Sequence, residues 1–330
     1  MLFLPRLSGD ASTGSRQAGL PPARQADRLA SMRALRNVLS ACLLLAALSC
    51  AWAQTNVEFQ RTEDVIYGRK FGTALTLDVF QPRPANGVGV VLMVSGGWFS
   101  SHESINAGNF RPLLNRGYTV FAVVHGSQPK FCITAIVPDI HRAVRFIRHN
   151  AARYGVDPDR LGITGGSAGG HLSLTMGRQG CPGDASAKDP VDRESSAVQC
   201  VACFFPPTDF LNYSQPGEDA VGVGVLKSFK VAFGPRADTA EERQKLGREI
   251  SPIYFVHSNM PPILIIHGDA DKLVPICQAQ TFVKRCEAAG STAKLVVREG
   301  KNHGWPDIVK DLELFADWFD EYLRGIKPKP

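Results

Sequence analysis

Leu161-Gly162-Ile163-Thr164-Gly165-Gly166-Ser167-Ala168-Gly169-Gly170-His171-Leu172-Ser173-Leu174-Thr175-Met176 decides how the rest of the chain is read. A short, partly apolar run reaches a serine set among small residues, and a helix-compatible segment follows to about Met176. Small neighbours permit a sharp, strained strand-to-helix turn that lifts a serine oxygen above a sheet. Ser167 is therefore the candidate nucleophile, and the chain around it is expected to alternate strands with helices.

Working outward, residues 74–80 read as an early strand, and 81–87 are rich in turn formers. Val90-Val91-Leu92-Met93-Val94 is a continuous apolar run suited to a central strand. It ends at Ser95-Gly96-Gly97-Trp98, where a glycine pair brings backbone N–H groups close to a bound substrate. A helix is expected over 109–115 and a buried strand over 118–124. Ile140, Ala143, Val144, Ile147 and Ala151 then recur on one helical face, with Pro138 near the start of that helix and Gly155 and Pro158 past its end. Residues 197–205 return to strand character before Pro206-Pro207. From 208 to 254, glycine, proline and acidic residues break the alternation, and this stretch is read as an insertion shaping a cap or pocket wall. Residues 262–268 form a strand, 276–289 a helix, 294–297 a strand, and a last helix presents Leu312, Phe315, Trp318, Phe319 and Tyr322. The succession predicts a mostly parallel α/β sheet with helices on both faces, folded as one domain over 54–330.

Residues 1–53 are set apart as an upstream extension and signal peptide. Met32-Arg33-Ala34-Leu35-Arg36 precedes an apolar run over 38–48, and Ala51-Trp52-Ala53 offers a cleavage site. That run is too short for a stable membrane span, and Cys50 in Ala47-Leu48-Ser49-Cys50 gives a lipid-anchored alternative to a secreted or periplasmic product. Without these residues the formal charge falls from +6 to +2, with 31 basic against 29 acidic residues, which gives no reason to expect a nucleic-acid partner. Six of the eight cysteines remain (Cys132, Cys181, Cys200, Cys203, Cys277 and Cys286), and disulfides are expected among them. No second Cys/His cluster accompanies Cys200-Val201-Ala202-Cys203, so neither a metal nor an organic cofactor is expected.

Two further segments supply chemistry. Asp271 lies in His267-Gly268-Asp269-Ala270-Asp271 and His303 in Gly300-Lys301-Asn302-His303-Gly304, both on loops after expected strands. Ser167 would attack an acyl carbonyl while His303 accepts its proton and Asp271 orients the imidazole. The Ala168 N–H is the first expected oxyanion donor, with Gly97 or Trp98 supplying the second. Asp269 is expected to shape the same loop. His171, on the emerging helix, supports the turn or faces the pocket, and His125 and His141 are expected to be ordinary loop or helix residues.

Over most of residues 66–319 the chain resembles the α/β-hydrolase superfamily, especially its secreted esterase and lipase-like members, acetyl-xylan and feruloyl-esterase relatives included. Gly165-Gly166-Ser167-Ala168-Gly169 is similar to the family's nucleophile elbow, Asp271 matches its acid position and His303 its late histidine loop. Residues 150–160 resemble the surface turn that precedes the elbow strand. Close members often carry His-Gly-Gly-Gly or His-Gly-Gly-Trp at the early oxyanion loop, where this chain has Ser95-Gly96-Gly97-Trp98. The resemblance implies hydrolysis of carboxylic esters through an acyl-enzyme, on acetyl or feruloyl esters of carbohydrate or on small aryl or aliphatic esters. A serine peptidase, a polyester hydrolase and a catalytically silent binding module are the alternatives. Trp98, Phe99, Phe204, Phe205, Phe210 and Tyr213 are the candidate pocket residues.

Overall fold

Side chains alternate between two faces along every central strand, and this alternation builds two separate apolar layers on one sheet. A computed structural model describes residues 57–327. The strands are β1 (Glu58–Lys70), β2 (Thr73–Arg83), β3 (Gly89–Met93), β4 (Thr119–Val124), β5 (Leu161–Gly166), β6 (Cys200–Phe204), β7 (Ile263–Gly268) and β8 (Ala293–Arg298). They lie in the order β1-β2-β4-β3-β5-β6-β7-β8. The β1-β2 and β2-β4 pairs are antiparallel, and every pair from β4 to β8 is parallel.

The helices are α1 (Arg111–Asn115), α2 (Ile133–His149), α3 (Ala168–Gln179), α4 (Lys230–Phe233), α5 (Ala240–Ile250), α6 (Cys277–Ala288) and α7 (Leu312–Arg324), with short 3-10 turns between them. On one face Leu113 and Leu114 of α1 and Phe315 and Phe319 of α7 share a core with Val90, Val120, Ala202 and Ile266. On the other, Ile140 of α2, Leu172 of α3 and Phe282 of α6 pack with Val91, Ile163, Val201 and Ile265. Adjacent residues such as Val90 and Val91 thus serve opposite layers. This is the α/β-hydrolase fold.

Several expectations change. The long edge strand β1 went unread because most of its side chains are exposed or half-exposed and two register shifts interrupt its alternation. Helix α2 begins at Ile133, so Pro138 is internal. Proline removes a backbone donor there, and Lys70 Nζ donates to the Ala135 carbonyl in the same turn at 2.8 Å. Ala151 belongs to a following 3-10 turn, not to the helix. The 208–254 stretch contains a regular helix, α5, whose Thr239 side chain accepts from the Glu242 N–H at 3.3 Å. The spacing Thr239-Ala240-Glu241-Glu242 is a readable helix-start signal.

The expected disulfides do not form: all six cysteines among the described residues are free. Cys200 and Cys203 sit on one strand with an odd separation, so their side chains enter opposite layers. The signal-peptide and Cys50 readings fall on residues outside those described. Among the described residues no helix is long and apolar enough to cross a membrane.

Candidate active site

Strand β5 ends at Gly166, α3 starts at Ala168, and Ser167 between them has φ 53° and ψ −119°. A non-glycine residue with positive φ is strained unless its surroundings fix it. Here the Ser167 N–H donates to the Phe204 carbonyl at 3.0 Å, and the Ser167 carbonyl accepts from His171 N–H at 2.9 Å. A Cβ on Gly165 would lie 2.6 Å from the Gly169 carbonyl carbon, and one on Gly169 would lie 2.8 Å from the Met93 carbonyl oxygen. The small residues of the motif are therefore required by backbone contact across the turn and against β3.

The loops after β7 and β8 are tied together by their backbones. Ala270 N–H donates to Lys301 O at 3.0 Å, and Asp269 accepts from Gly300 N–H at 2.7 Å, which is the loop-shaping part expected of it. Asp271 and His303 meet as a result. His303 Nδ1 is 2.7 Å from Asp271 Oδ2, and His303 Nε2 is 2.9 Å from Ser167 Oγ. Burial by itself would raise the Asp271 pKa, but bonds from His267, His303 and the Val274 N–H outweigh it and hold the carboxyl well below the usual carboxylate range. An ionised Asp271 can only accept, so Nδ1 of His303 carries the proton and Nε2 is left to accept from the serine hydroxyl. His267, quoted in the sequence only as part of a motif, has Nε2 2.8 Å from Val274 O and 3.3 Å from Asp271 Oδ2. Both partners are acceptors, so its proton sits on Nε2, donated to Val274 O with Asp271 alongside.

At the end of β3, Gly96 and Phe99 exchange two backbone hydrogen bonds of 2.9 Å, making a tight loop with Gly97 (φ 55°) and Trp98 (φ 60°) at its tip. Among the described residues the N–H groups of Gly97, Trp98 and Ala168 take no backbone partner. Ser95 Oγ is 2.9 Å from His125 Nε2, whose Nδ1 lies 2.7 Å from Gly126 O. His125 is thus a buried tie to the loop after β3 rather than an ordinary loop residue. His171 makes the equivalent tie on the other side: Nδ1 accepts from Trp98 Nε1 at 3.2 Å and Nε2 donates to Ile250 O at 2.8 Å. The indole can only donate and the carbonyl only accept, so one neutral tautomer is fixed. Burial, the largest influence on each, pushes both His125 and His171 down to about 4.

Residues 77–286 match the model of the BD-FAE family. The chain belongs to the BD-FAE family. This BD-FAE chain is 30% identical over 244 residues to Esterase LipQ of Mycobacterium tuberculosis, an overlap of 70% of this chain and 54% of LipQ. It is 25% identical over 232 residues to isoprenylcysteine alpha-carbonyl methylesterase ICME of Arabidopsis thaliana, covering 69% and 53% of the two chains. The chain spans about half the length of the curated relatives it matches. Among solved structures it is similar to a truncated form of a carbohydrate esterase from gut microbiota, with a TM-score of 0.68 at 27% identity, covering 82% of this chain and 99% of that one. Apo Thermogutta terrifontis esterase 2 gives a TM-score of 0.60 at 25% identity, with 84% and 98% covered.

The aromatic residues named from the sequence divide between support and surface in this BD-FAE chain. Phe210 and Tyr213 are fully buried, and Tyr213 OH donates to Leu273 O at 3.0 Å, bracing the Asp271 loop. Phe204 packs at a tilt 4.4 Å from Phe315 in the α7 layer, and the Trp98 ring is buried against Phe210 and Phe233. These four side chains are packing residues, because each faces a layer that apolarity alone cannot distinguish from a pocket. Phe205, with φ 33°, lies 4.4 Å from the His303 ring and fixes its plane. Phe99 is 49% exposed and lines a groove of about 340 Å³ together with Leu92, Ser95, Gly96, Ile105 and Asn109. Phe229, the end of an apolar stretch in the 208–254 insertion and not among the expected pocket residues, packs directly on Gly97.

One group of side chains has metal-ligand geometry. Asp64, Asp78 and His102 bring ligand atoms within 4.8 Å of one another. Arg61 already donates to Asp78 Oδ2 through Nε and Nη2 at 2.8 and 2.6 Å, supplying the positive charge that a cation would bring.

Proposed function

We propose that this chain hydrolyses carboxylic esters through an acyl-serine intermediate, with Ser167 as nucleophile, His303 as general base and acid, and Asp271 as the carboxylate that orients the imidazole. The observation that supports it is the continuous hydrogen-bond path from Ser167 Oγ through His303 to Asp271, at 2.9 and 2.7 Å. In the first half-reaction the Ser167 oxygen bonds to the ester carbonyl carbon as its proton passes to His303 Nε2. The imidazolium so formed is stabilised by the adjacent negative charge of Asp271. The carbonyl oxygen becomes an oxyanion held by the Ala168 N–H and that of Gly97 or Trp98. Collapse breaks the carbon–oxygen bond to the alcohol, which takes the proton from Nε2. Water then repeats the sequence on the acyl-serine and releases the carboxylic acid, restoring the hydroxyl. No step requires a group beyond the protein and water.

For the alcohol we favour a carbohydrate-linked ester. The likeness to a carbohydrate esterase supports it, as does a groove beside the oxyanion loop that combines the half-exposed Phe99 ring with the exposed Asn109 amide. Residues 208–254 act as the cap of the site, a reading supported by the packing of Phe210, Phe229 and Phe233 on Trp98.

The full chain, incubated with acetyl, butyryl, feruloyl, polymeric-ester and peptide substrates and with a serine-directed phosphonate, tests this. Ester turnover with phosphonate mapped to Ser167 is expected, and Ser167→Ala should lower kcat by about a thousandfold or more with folding intact. Peptide turnover without ester turnover, or equal activity in Ser167→Ala, contradicts the proposal.

A further inference from the structure

The sheet separates the two layers of the fold, and the side chains beside the oxyanion loop differ between them. Phe205 and Trp305, next to His303, belong to the core on the α1 and α7 face. Trp98 belongs with Ala168, Phe210 and Phe233 to the core on the α2 and α3 face. On that second side Phe229, from the 3-10 turn Gly224–Phe229, extends the aromatic stack. Its ring is 6.4 Å from the Trp98 ring in a T-shaped contact. A Cβ on Gly97 would sit 2.4 Å from Phe229 Cε1 and 2.6 Å from Cδ1, so one edge of the phenyl ring abuts the tip of the loop. Trp98, Phe210 and Phe233 are buried, whereas Phe229 is only half-buried. It is therefore the most exposed member of the stack.

Chemistry assigns the substrate's two ends to these two sides. The leaving oxygen must face His303 Nε2 to receive its proton, and the carbonyl oxygen must face the N–H groups of Ala168 and of Gly97 or Trp98. With Ser167 as the third substituent, the acyl chain takes the remaining tetrahedral direction, away from His303 and toward the insertion. Phe229 belongs to that insertion and packs on Gly97, beside the N–H groups that face the carbonyl oxygen.

We infer that Phe229 sets acyl length, closing the acyl side of the site so that the chain cleaves esters of short acyl groups and disfavours long or planar ones such as feruloyl. The alcohol leaves on the His303 side. This rests on the esterase reading above and adds the substrate class to it.

The test compares kcat/KM for p-nitrophenyl acetate, butyrate and hexanoate in the full chain, in Phe229→Ala and in Phe229→Trp, with phosphonate labelling of Ser167 measured in each. The native chain should prefer acetate to hexanoate by about tenfold or more, as expected when a pocket rejects added methylenes. Phe229→Ala should raise the hexanoate-to-acetate ratio about tenfold, and Phe229→Trp should lower the butyrate-to-acetate ratio. If Phe229→Ala does not fold, the Trp variant still tests the inference through its lowered butyrate-to-acetate ratio. Ser167 labelled in every folded variant with the ratios unmoved overturns the inference while leaving the esterase reading standing. A native chain that neither labels nor turns over any ester defeats that reading, and this inference with it.

Discussion

Asp271 stays ionised inside the protein because donors converge on it from three directions: His303 Nδ1, His267 Nε2 and the N–H groups of Leu273 and Val274 at 2.9 Å each. Replacing it with asparagine keeps the shape and removes the charge. The amide then offers an N–H donor where an acceptor is needed, favouring the imidazole tautomer that carries its proton on Nε2, so the base that faces Ser167 is lost. Asp271→Asn is expected to lower kcat by about ten-thousandfold, with KM changed far less; steady-state kinetics on an acetyl ester would check this. At this scale the sequence shows which residue types are present and misses their partners. Ser167, Asp271 and His303 could be named because each sits at a recognisable break after a strand. His125, His267 and Phe229 carry no such mark, since their importance lies in contacts with residues far away in the chain.

At the scale of elements, the elbow depends on β3 as much as on β5 and α3. Gly169 approaches the Met93 carbonyl so closely that a methyl group there would stand 2.8 Å from its oxygen. Gly169→Ala must therefore push the end of β3 away from α3, and the proposed oxyanion loop, which begins two residues beyond Met93, moves with it. A displacement of this size at reacting groups is expected to lower kcat about a hundredfold. Stopped assays at saturating ester, beside a thermal melt to verify folding, would show it; an unchanged kcat would mean the loop is positioned independently of the elbow. The central strands were legible because apolar runs bounded by glycine and proline have few other readings. Strand β1 and helix α5 were not, the first because its polar side chains face solvent and its register shifts, the second because its mostly charged sequence carries few apolar residues. Its cap at Thr239 was the one readable cue.

For the whole molecule, the two buried histidines couple folding to acidity. His125 and His171 are held at about 4 against an ordinary 6.5, each neutral in the fold. The unfolded chain protonates first as the solution is acidified, so their contribution is fully present above about 6.5 and is lost as pH falls toward 4. The loss is at most about 3 kcal/mol for each histidine. Urea midpoints at pH 7.5 and pH 4.5 should differ in that direction, and the difference should shrink in His171→Gln; an equal midpoint at both values would show that these imidazoles are not buried neutral. The sequence by itself determined the order of the central strands, the mostly parallel sheet and the three residues proposed as a triad. Those follow from local signals: apolar periodicity, turn formers and a serine among small residues. Only the tertiary structure decided that the cysteines stay unpaired, that Phe210 and Tyr213 are core, and that a phenyl ring from residue 229 lies on Gly97. The physical reason is that an apolar side chain or a thiol records its preference for burial in the sequence, whereas the face it is buried on and the partner it meets are set by strand register and by packing between distant segments.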